Sequence, residues 1–328
     1  MDTLISSPVR GPLPAVGALF GGAWSLYKSR FGTLIGIVAV PLLLSFASVL
    51  VAAFGGAGFV TGMSVWIAGI VGIVGGILSV VAYIGLVYAL REPIGFGAAY
   101  RRGFSRFFSY IWVSILMTLI VIGGYVMGII PGIVFSVWFV FGTFTLLLEE
   151  KRGMEAILRS KEYVRGYWWP VFGRMLLMML AAFAIALIIG IPAGSFSGKP
   201  DEEVNVIGAL ASAVMQILLT PFIVAFLYTL YEHLRGAKPE LAASPIPAKG
   251  KGFFIFSAIL GIIAPIILFV AGFALLSALF LSKAATSFDL SEPNNLLDAL
   301  KNIDVPADLG SPSGMEIAGD FVPLPVVE

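Results

Sequence analysis

Long apolar stretches of about membrane-crossing length recur along most of this chain. Crossing about 30 Å of hydrocarbon takes roughly twenty helical residues at a rise of about 1.5 Å each. Short polar or glycine-rich segments separate seven stretches of this length. They run over residues 33–54, 65–90, 110–130, 132–148, 171–191, 206–231 and 253–281. The pattern predicts an all-α, polytopic membrane helix bundle with about seven transmembrane helices.

Two features of the stretches predict how neighbouring helices meet. Only Pro131 and Gly132 separate the third stretch from the fourth, which predicts a tight hairpin turn at these residues. Gly69, Gly72 and Gly76 recur in the second stretch, and the last two form a G-x-x-x-G pair. Such glycines let a second helix approach closely, in this protein or in a dimer, and we expect them to pack within the bundle.

Segments that mix basic and aromatic residues lie between the stretches. They cover 16–31, 91–109 and 149–170. In the third segment, helical periodicity places Arg159 and Arg165 on a solvated face with Glu155 and Glu162. The apolar residues fall on the opposite face. The pattern predicts amphipathic interfacial helices on the cytoplasmic side of the membrane.

Composition agrees with a membrane environment. Hydrophobic residues make up 59% of the chain, charged residues 12%, and the mean hydropathy is +1.00. A water-soluble domain of 328 residues has too little interior for this much apolar surface.

The distribution of charge predicts the orientation. If the N-terminus is cytoplasmic, inside segments carry 17 of the 20 Lys and Arg residues, and outside segments carry eleven of the nineteen acids. Cytoplasmic loops of membrane proteins are enriched in Lys and Arg. We therefore expect a multi-pass plasma-membrane protein with its N-terminus inside and its C-terminus outside.

These patterns divide the chain into five parts. They are an N-terminal amphipathic interfacial segment (1–32), a six-span membrane domain (33–236), a cytoplasmic linker (237–252), a seventh transmembrane helix (253–283) and an acidic tail (284–328). The tail is rich in Pro, Ser and Gly, and we expect it to be mostly disordered and extracytoplasmic.

The inventory of reactive side chains points away from catalysis. The chain has no cysteine and a single histidine, His233, and it lacks a phosphate-binding glycine loop. No usual zinc site or Ser–His–Asp triad can be assembled. No charged residue lies in the middle of a span, which argues against proton-coupled carriers and voltage sensors. We expect no enzymatic activity, no catalytic residue, no metal, no cofactor and no nucleic-acid partner.

The leading hypothesis is a structural or accessory role, with the basic segments contacting anionic lipid head groups of the bilayer. The candidate lipid contacts are Lys28, Arg30, Arg101, Arg102, Arg106, Arg159 and Arg165. One alternative is a permease or channel for a neutral or lipidic solute, suggested by Pro41, Pro221 and Pro265 inside spans. Another is an assembly partner of a membrane complex or a homo-oligomer.

Three short stretches resemble a known family. They are Pro131-Gly132-Ile133; Leu148-Glu149-Glu150 followed by Ala156-Ile157 and Arg159-Ser160; and Pro221 followed by Leu227-Tyr228, Tyr231 and Leu234-Arg235. Together they resemble the membrane-domain family of glycerophosphoryl diester phosphodiesterases, in its stand-alone form. The resemblance covers about residues 12–236 and implies no catalytic residue, because the phosphodiesterase domain is absent from this sequence.

Overall fold

The computed structural model describes residues 13–54, 63–195, 206–244 and 251–287. These residues form eleven α-helices and no strand, which confirms the all-α prediction. The helices are α1 (Val16–Ser29), α2 (Phe31–Phe54), α3 (Met63–Arg91), α4 (Phe96–Met127), α5 (Ile129–Phe139), α6 (Gly142–Leu148), α7 (Met154–Val164), α8 (Trp168–Ser195), α9 (Val206–Ala237), α10 (Glu240–Ala243) and α11 (Lys251–Ser287).

Five of these helices, α3, α4, α8, α9 and α11, are each long and apolar enough to cross a bilayer. Within the described residues there are six such spans, counting α5 and α6 together, and a seventh if α1 and α2 form one span. The axis bends by 80° between α1 and α2. The prediction of a polytopic membrane helix bundle is confirmed.

Contacts divide the chain into two compact units, Met1–Ile266 and Ile267–Glu328, and the division falls inside α11. In the first unit, the early part of α11 buries Phe254 and Ser257. In the second unit, the described residues 267–287 form one helix with exposed apolar side chains such as Phe269 and Phe273. Beyond Ser287, the predicted tail lies outside the described residues.

The most buried element of the first unit is α6, in which every residue from Gly142 to Leu148 is buried. It carries no charged side chain on any side, as expected of a helix surrounded by others. The backbone is interrupted just before it, and Ser160 of α7 bridges the interruption. Its hydroxyl donates to the Trp138 carbonyl at 2.7 Å and accepts from the Phe141 N–H at 3.1 Å.

The turn between α4 and α5 lies at Gly128 and not at Pro131 and Gly132, so the predicted position was wrong. Gly128 has φ +148°, which favours glycine, and its N–H donates to the Gly124 carbonyl at 3.1 Å. Pro131 lies in the first turn of α5, where its missing N–H costs nothing. Gly132 faces Tyr125, whose ring leaves no room for a Cβ.

The predicted packing role of Gly69, Gly72 and Gly76 within the bundle was also wrong. They are exposed, and a Cβ at any of them would meet none of the described residues within 4 Å. The close approach of α3 and α4 uses Gly85 instead, where a Cβ would lie 2.9 Å from the Ala99 carbonyl oxygen. Spacing alone did not reveal which face of α3 the neighbouring helix covers.

The three amphipathic segments differ from one another. Helix α1 is amphipathic and buries Leu19, Ala23 and Tyr27. The segment 91–109 is not a separate interfacial helix, because α4 runs without interruption from Phe96 through its apolar part.

The third segment contains α7, which is buried on more than one face. Arg159 is only 1% exposed, so its predicted place on a solvated face was wrong. The cause is α10, which follows α9 and covers α7 at this position. Sequence periodicity gave no indication that the predicted linker turns back in this way.

Candidate functional site at the basic end of the bundle

The basic segments, although far apart in sequence, meet at one end of the bundle, which we call the basic end. The Arg30 guanidinium, between α1 and α2, donates to the Ala89 carbonyl near the end of α3. At the end of α3, Arg91 donates to the Leu148 carbonyl of α6 at 2.6 Å. The last carbonyls of a helix lack intrahelical partners and carry partial negative charge, so cations stabilise them.

Lys238, just after α9, stabilises the end of α7 in the same way. Its ammonium group donates to the carbonyls of Glu162, Tyr163 and Arg165 at 2.5, 3.1 and 2.6 Å. In α8, Arg174 donates to the Pro14 carbonyl at 2.7 Å and so attaches the start of α1. Several cations of this end therefore hold the fold together.

A buried carboxylate lies at the centre of the basic end. Glu149 is 5% exposed on its side chain, and its Oε1 accepts hydrogen bonds from the hydroxyls of Tyr163 and Tyr231 at 2.7 and 2.6 Å. The guanidinium of Arg235 approaches the same oxygen at 3.9 Å. These contacts join α6, α7 and α9 through one side chain.

Arg159 lies beside this carboxylate. Its two terminal nitrogens donate to the carbonyls of Leu241 and Ser244, the latter at 2.7 Å. Its Nε faces Glu149 Oε2 at 4.0 Å, and neither atom has a hydrogen-bond partner among the described residues. Arg159 therefore joins α7 to α10 and cannot reach lipid head groups.

The setting of Tyr163 alters its acidity. Burial raises the pKa of the Tyr163 hydroxyl above its usual value, and the Glu149 carboxylate raises this pKa further. A phenolate beside a buried carboxylate would place two negative charges together. Tyr163 therefore stays a hydrogen-bond donor over the whole physiological pH range.

A polar groove of about 430 Å³ opens between α3, α4 and the end of α6. We call it the arginine groove, and its polar side chains are Tyr88, Arg91, Glu92, Arg102, Ser105, Arg106 and Glu150. Arg102 pairs with Glu92 at 2.7 Å, and Arg106 pairs with Glu150 at 2.8 Å. The hydrogen bond and ion pair that Glu92 forms with Arg102 lower the pKa of the Glu92 carboxyl, which is therefore ionised at neutral pH.

Three predicted lipid contacts point outward. Lys28 is exposed, and its ammonium lies 5.6 Å from the centre of the Trp24 ring. Arg101 is exposed on the same face of α4 as the exposed Phe104 and Phe108. Arg165 is 74% exposed, with only a long contact of 3.6 Å to Glu162. Basic groups beside exposed aromatic rings are typical of a membrane interface.

A second, smaller cavity lies among the candidate spans. It has a volume of about 130 Å³ and lies between α2, α3 and α9. Its polar lining consists of Ser79, Tyr83, Gln216 and Thr220. Gln216 was not among the predicted site residues, because an uncharged amide gives no clear signal in an apolar helix.

Other chemistry finds no support in the described part of the chain. No group of three metal-ligating side chains occurs there. His233 is exposed, and its Nδ1 lies 2.7 Å from the Thr229 carbonyl oxygen of its own helix. No protein-family model, curated protein sequence or solved structure matches this chain.

Proposed function

We propose that this chain is a non-enzymatic, multi-pass protein of the plasma membrane that contacts anionic lipid head groups through its basic end. Its role is structural or accessory, and the basic end faces the cytoplasm. The observation that supports this proposal is the gathering of cations from separate segments at one end of an apolar bundle.

The structure divides the predicted lipid contacts into three groups. Arg30 and Arg159 stabilise helix ends, and Arg102 and Arg106 line the arginine groove. Lys28, Arg101 and Arg165 remain on the surface. Each cation near an anionic leaflet contributes about 1 kcal/mol, so these three favour anionic lipid by roughly 3 kcal/mol at low salt.

The family resemblance remains a proposal, and the structure suggests what its motifs do. Glu149, Arg159 and Arg235 lie in different parts of the resembling stretches, and they meet in one buried cluster with Tyr231. Ser160 of the same stretch bridges the interruption before α6. These residues support a shared membrane fold rather than a shared chemistry.

The test is the composition of lipid that remains with the full-length protein. We would reconstitute it in equal amounts of phosphatidylglycerol and phosphatidylcholine, extract it in mild detergent and quantify the retained lipid by mass spectrometry. We expect enrichment in phosphatidylglycerol that falls in K28Q/R101Q/R165Q and persists in the control K283Q. Retention that ignores lipid charge would overturn the proposal.

The small cavity favours a second candidate function, a permease for a small uncharged solute. Hydroxyl and amide groups around Gln216 offer hydrogen bonds in a cavity whose other lining side chains are apolar. Flux of glycerol or urea into vesicles containing the protein, reduced by Q216L but not by the outward-facing L210A, would support this function. Vesicles no more permeable than protein-free ones would exclude it for these solutes.

A further inference from the structure

We propose that the arginine groove is a binding site for a phosphate group, presented by the head group of an anionic lipid. This inference rests on the proposed contact with anionic lipid and assigns that contact to a defined place. Phosphate oxygens accept hydrogen bonds from guanidinium groups in paired geometry, and arginine suits such recognition better than lysine.

The groove carries more positive than negative charge. Three guanidinium groups, from Arg91, Arg102 and Arg106, face two carboxylates, those of Glu92 and Glu150. Arg102 and Arg106 each form an ion pair with one carboxylate, whereas Arg91 forms no ion pair within the described part of the chain and donates to the Leu148 carbonyl. The third guanidinium leaves the groove with a net positive charge, which favours an anion.

The three guanidinium groups stand on a rigid frame. Arg102 and Arg106 lie one turn apart on α4, so their side chains project from the same face. Arg91 ends α3, which is held against α4 by close backbone contact. In that contact, a Cβ at Gly85 would lie 2.9 Å from the Ala99 carbonyl oxygen. Sites built on packed helices hold their ligating groups more accurately than sites on loops.

The two ion pairs leave the groove able to accept a phosphate. The side chains of Glu92 and Glu150 are 46% and 73% exposed. Exposed ion pairs of this kind are weak, so a phosphate that contacts two or three guanidinium groups can displace the carboxylates. In the absence of ligand, the carboxylates reduce repulsion between the arginines.

The surroundings of the groove favour a lipid over a free phosphate ion. The neighbouring face of α4 exposes Phe104, Phe108 and Trp112, which are large apolar side chains. This face begins only two residues from Arg102 in the sequence. A head group in the groove would therefore leave its acyl chains beside an apolar surface.

The experiment measures calorimetric binding to the full-length protein in uncharged detergent. The probes are short-chain phosphatidic acid, inorganic phosphate and short-chain phosphatidylcholine. We expect phosphatidic acid to bind best, and R102Q/R106Q to weaken it at least about tenfold, because charge-assisted hydrogen bonds are lost. E92Q/E150Q should bind more tightly, since the competing carboxylates are gone. R152Q, at an exposed arginine outside both the groove lining and the proposed lipid contacts, is the matched control, and R101Q tests the surface contact separately.

R102Q/R106Q should weaken the binding of phosphatidic acid, and E92Q/E150Q should strengthen it. These opposite effects distinguish a binding site from a structural cluster. If both variants bind phosphatidic acid as the wild type does, the groove assignment is wrong. If R101Q alone weakens binding, the lipid contact stands and the groove does not hold it. If inorganic phosphate binds as tightly as the lipid and responds to the same variants, the phosphate site is supported, whereas its lipid source and the proposed function are contradicted. Absence of binding by every probe contradicts both proposals.

Discussion

At the scale of single residues, Glu149 joins helices of the basic end through compensated charge. A buried carboxylate is unfavourable unless hydrogen bonds and opposite charges compensate it. Here two tyrosine hydroxyls donate to it, and two guanidinium groups lie about 4 Å away. The carboxylate in turn keeps the helices that carry these groups in register.

We expect Y163F and Y231F each to lower the free energy of unfolding by about 1.5–3 kcal/mol, because each removes a hydrogen bond to a charged group. Y125F is the control, since Tyr125 is exposed and distant from Glu149. Unfolding in mixed detergent micelles measures the effect. Equal stability of Y163F and Y125F would contradict the role assigned to Glu149.

The raised pKa of Tyr163 predicts a loss of stability in alkali. Because the pKa of Tyr163 is higher in the folded than in the unfolded protein, its protonated hydroxyl stabilises the fold. This stabilisation is fully present below the pKa of the unfolded state, near 10. This contribution is lost as the pH rises from there toward the folded-state pKa. Between pH 9 and pH 11, the free energy of unfolding of the wild type should therefore fall more than that of Y163F. The same pH dependence in both proteins would contradict this assignment.

Pro41 and Tyr100 form a second instructive pair. Proline lacks an N–H, so the Ile37 carbonyl four residues earlier loses its helical partner. The Tyr100 hydroxyl of α4 donates to this carbonyl at 2.8 Å. A backbone carbonyl without a partner is costly in hydrocarbon, and a side chain from a neighbouring helix has replaced the missing donor.

We expect Y100F to destabilise the protein by about 1 kcal/mol, because the Ile37 carbonyl is left without a donor. In P41A the residue at position 41 regains its N–H and can donate to this carbonyl. The cost of Y100F should therefore be smaller in the P41A background than in the wild type. A double-mutant cycle of unfolding free energies measures this difference, and strict additivity would argue against it.

At the scale of helices, close approach depends on individual glycines that face a neighbour. A Cβ at Gly123 of α4 would overlap the backbone carbonyl of Ser257 in α11, and the Ser257 hydroxyl donates to the Ile120 carbonyl at 2.8 Å. The glycines of the G-x-x-x-G pair in α3, by contrast, have none of the described residues within 4 Å of a Cβ position.

The substitutions G123A and G76A should therefore have opposite effects. We expect G123A to destabilise by about 1–3 kcal/mol, because α4 and α11 must separate. G76A should be neutral or should stabilise by up to about 1 kcal/mol through higher helix propensity. Comparing their unfolding free energies checks this, and a larger loss for G76A would show that the open face of α3 packs against another helix.

The helices themselves were predictable from the sequence because their signal is local. Apolar length predicted the spans, and the mixed basic and aromatic composition of residues 16–31 predicted an amphipathic helix there. The burial of Arg159 and the free face of α3 depend on neighbours distant in sequence, about which hydropathy and spacing contain no information, so these two expectations failed. The turn at Gly128 is local, since it depends on the backbone conformation of this glycine and on its bonds to Gly124 and Tyr125, but apolar length alone did not separate it from Pro131 and Gly132.

The candidate site was only partly predictable for the same reason. Charge counting identified the basic segments, but it treated all their cations as equivalent. The structure separates those that bind helix carbonyls, such as Arg30 and Lys238, from those that line the groove or face outward. This difference depends on which helix ends meet, and that is a property of tertiary packing.

At the scale of the whole molecule, the proposed function requires the basic end to lie on one side of the membrane, in the cytoplasm. The chain contains no cysteine, so single cysteines can be introduced into an otherwise unreactive background. Suitable positions are Arg152 and Gly236 at the basic end, which are exposed, and Lys199 between the fifth and sixth predicted stretches.

The decisive measurement is labelling of R152C, G236C and K199C in intact cells with a maleimide that cannot cross membranes. We expect K199C to react from outside, and R152C and G236C to react only after the membrane is permeabilised. Labelling of R152C and G236C from outside, or of only one of them, would contradict a cytoplasmic basic end and remove the basis for its contact with anionic lipid.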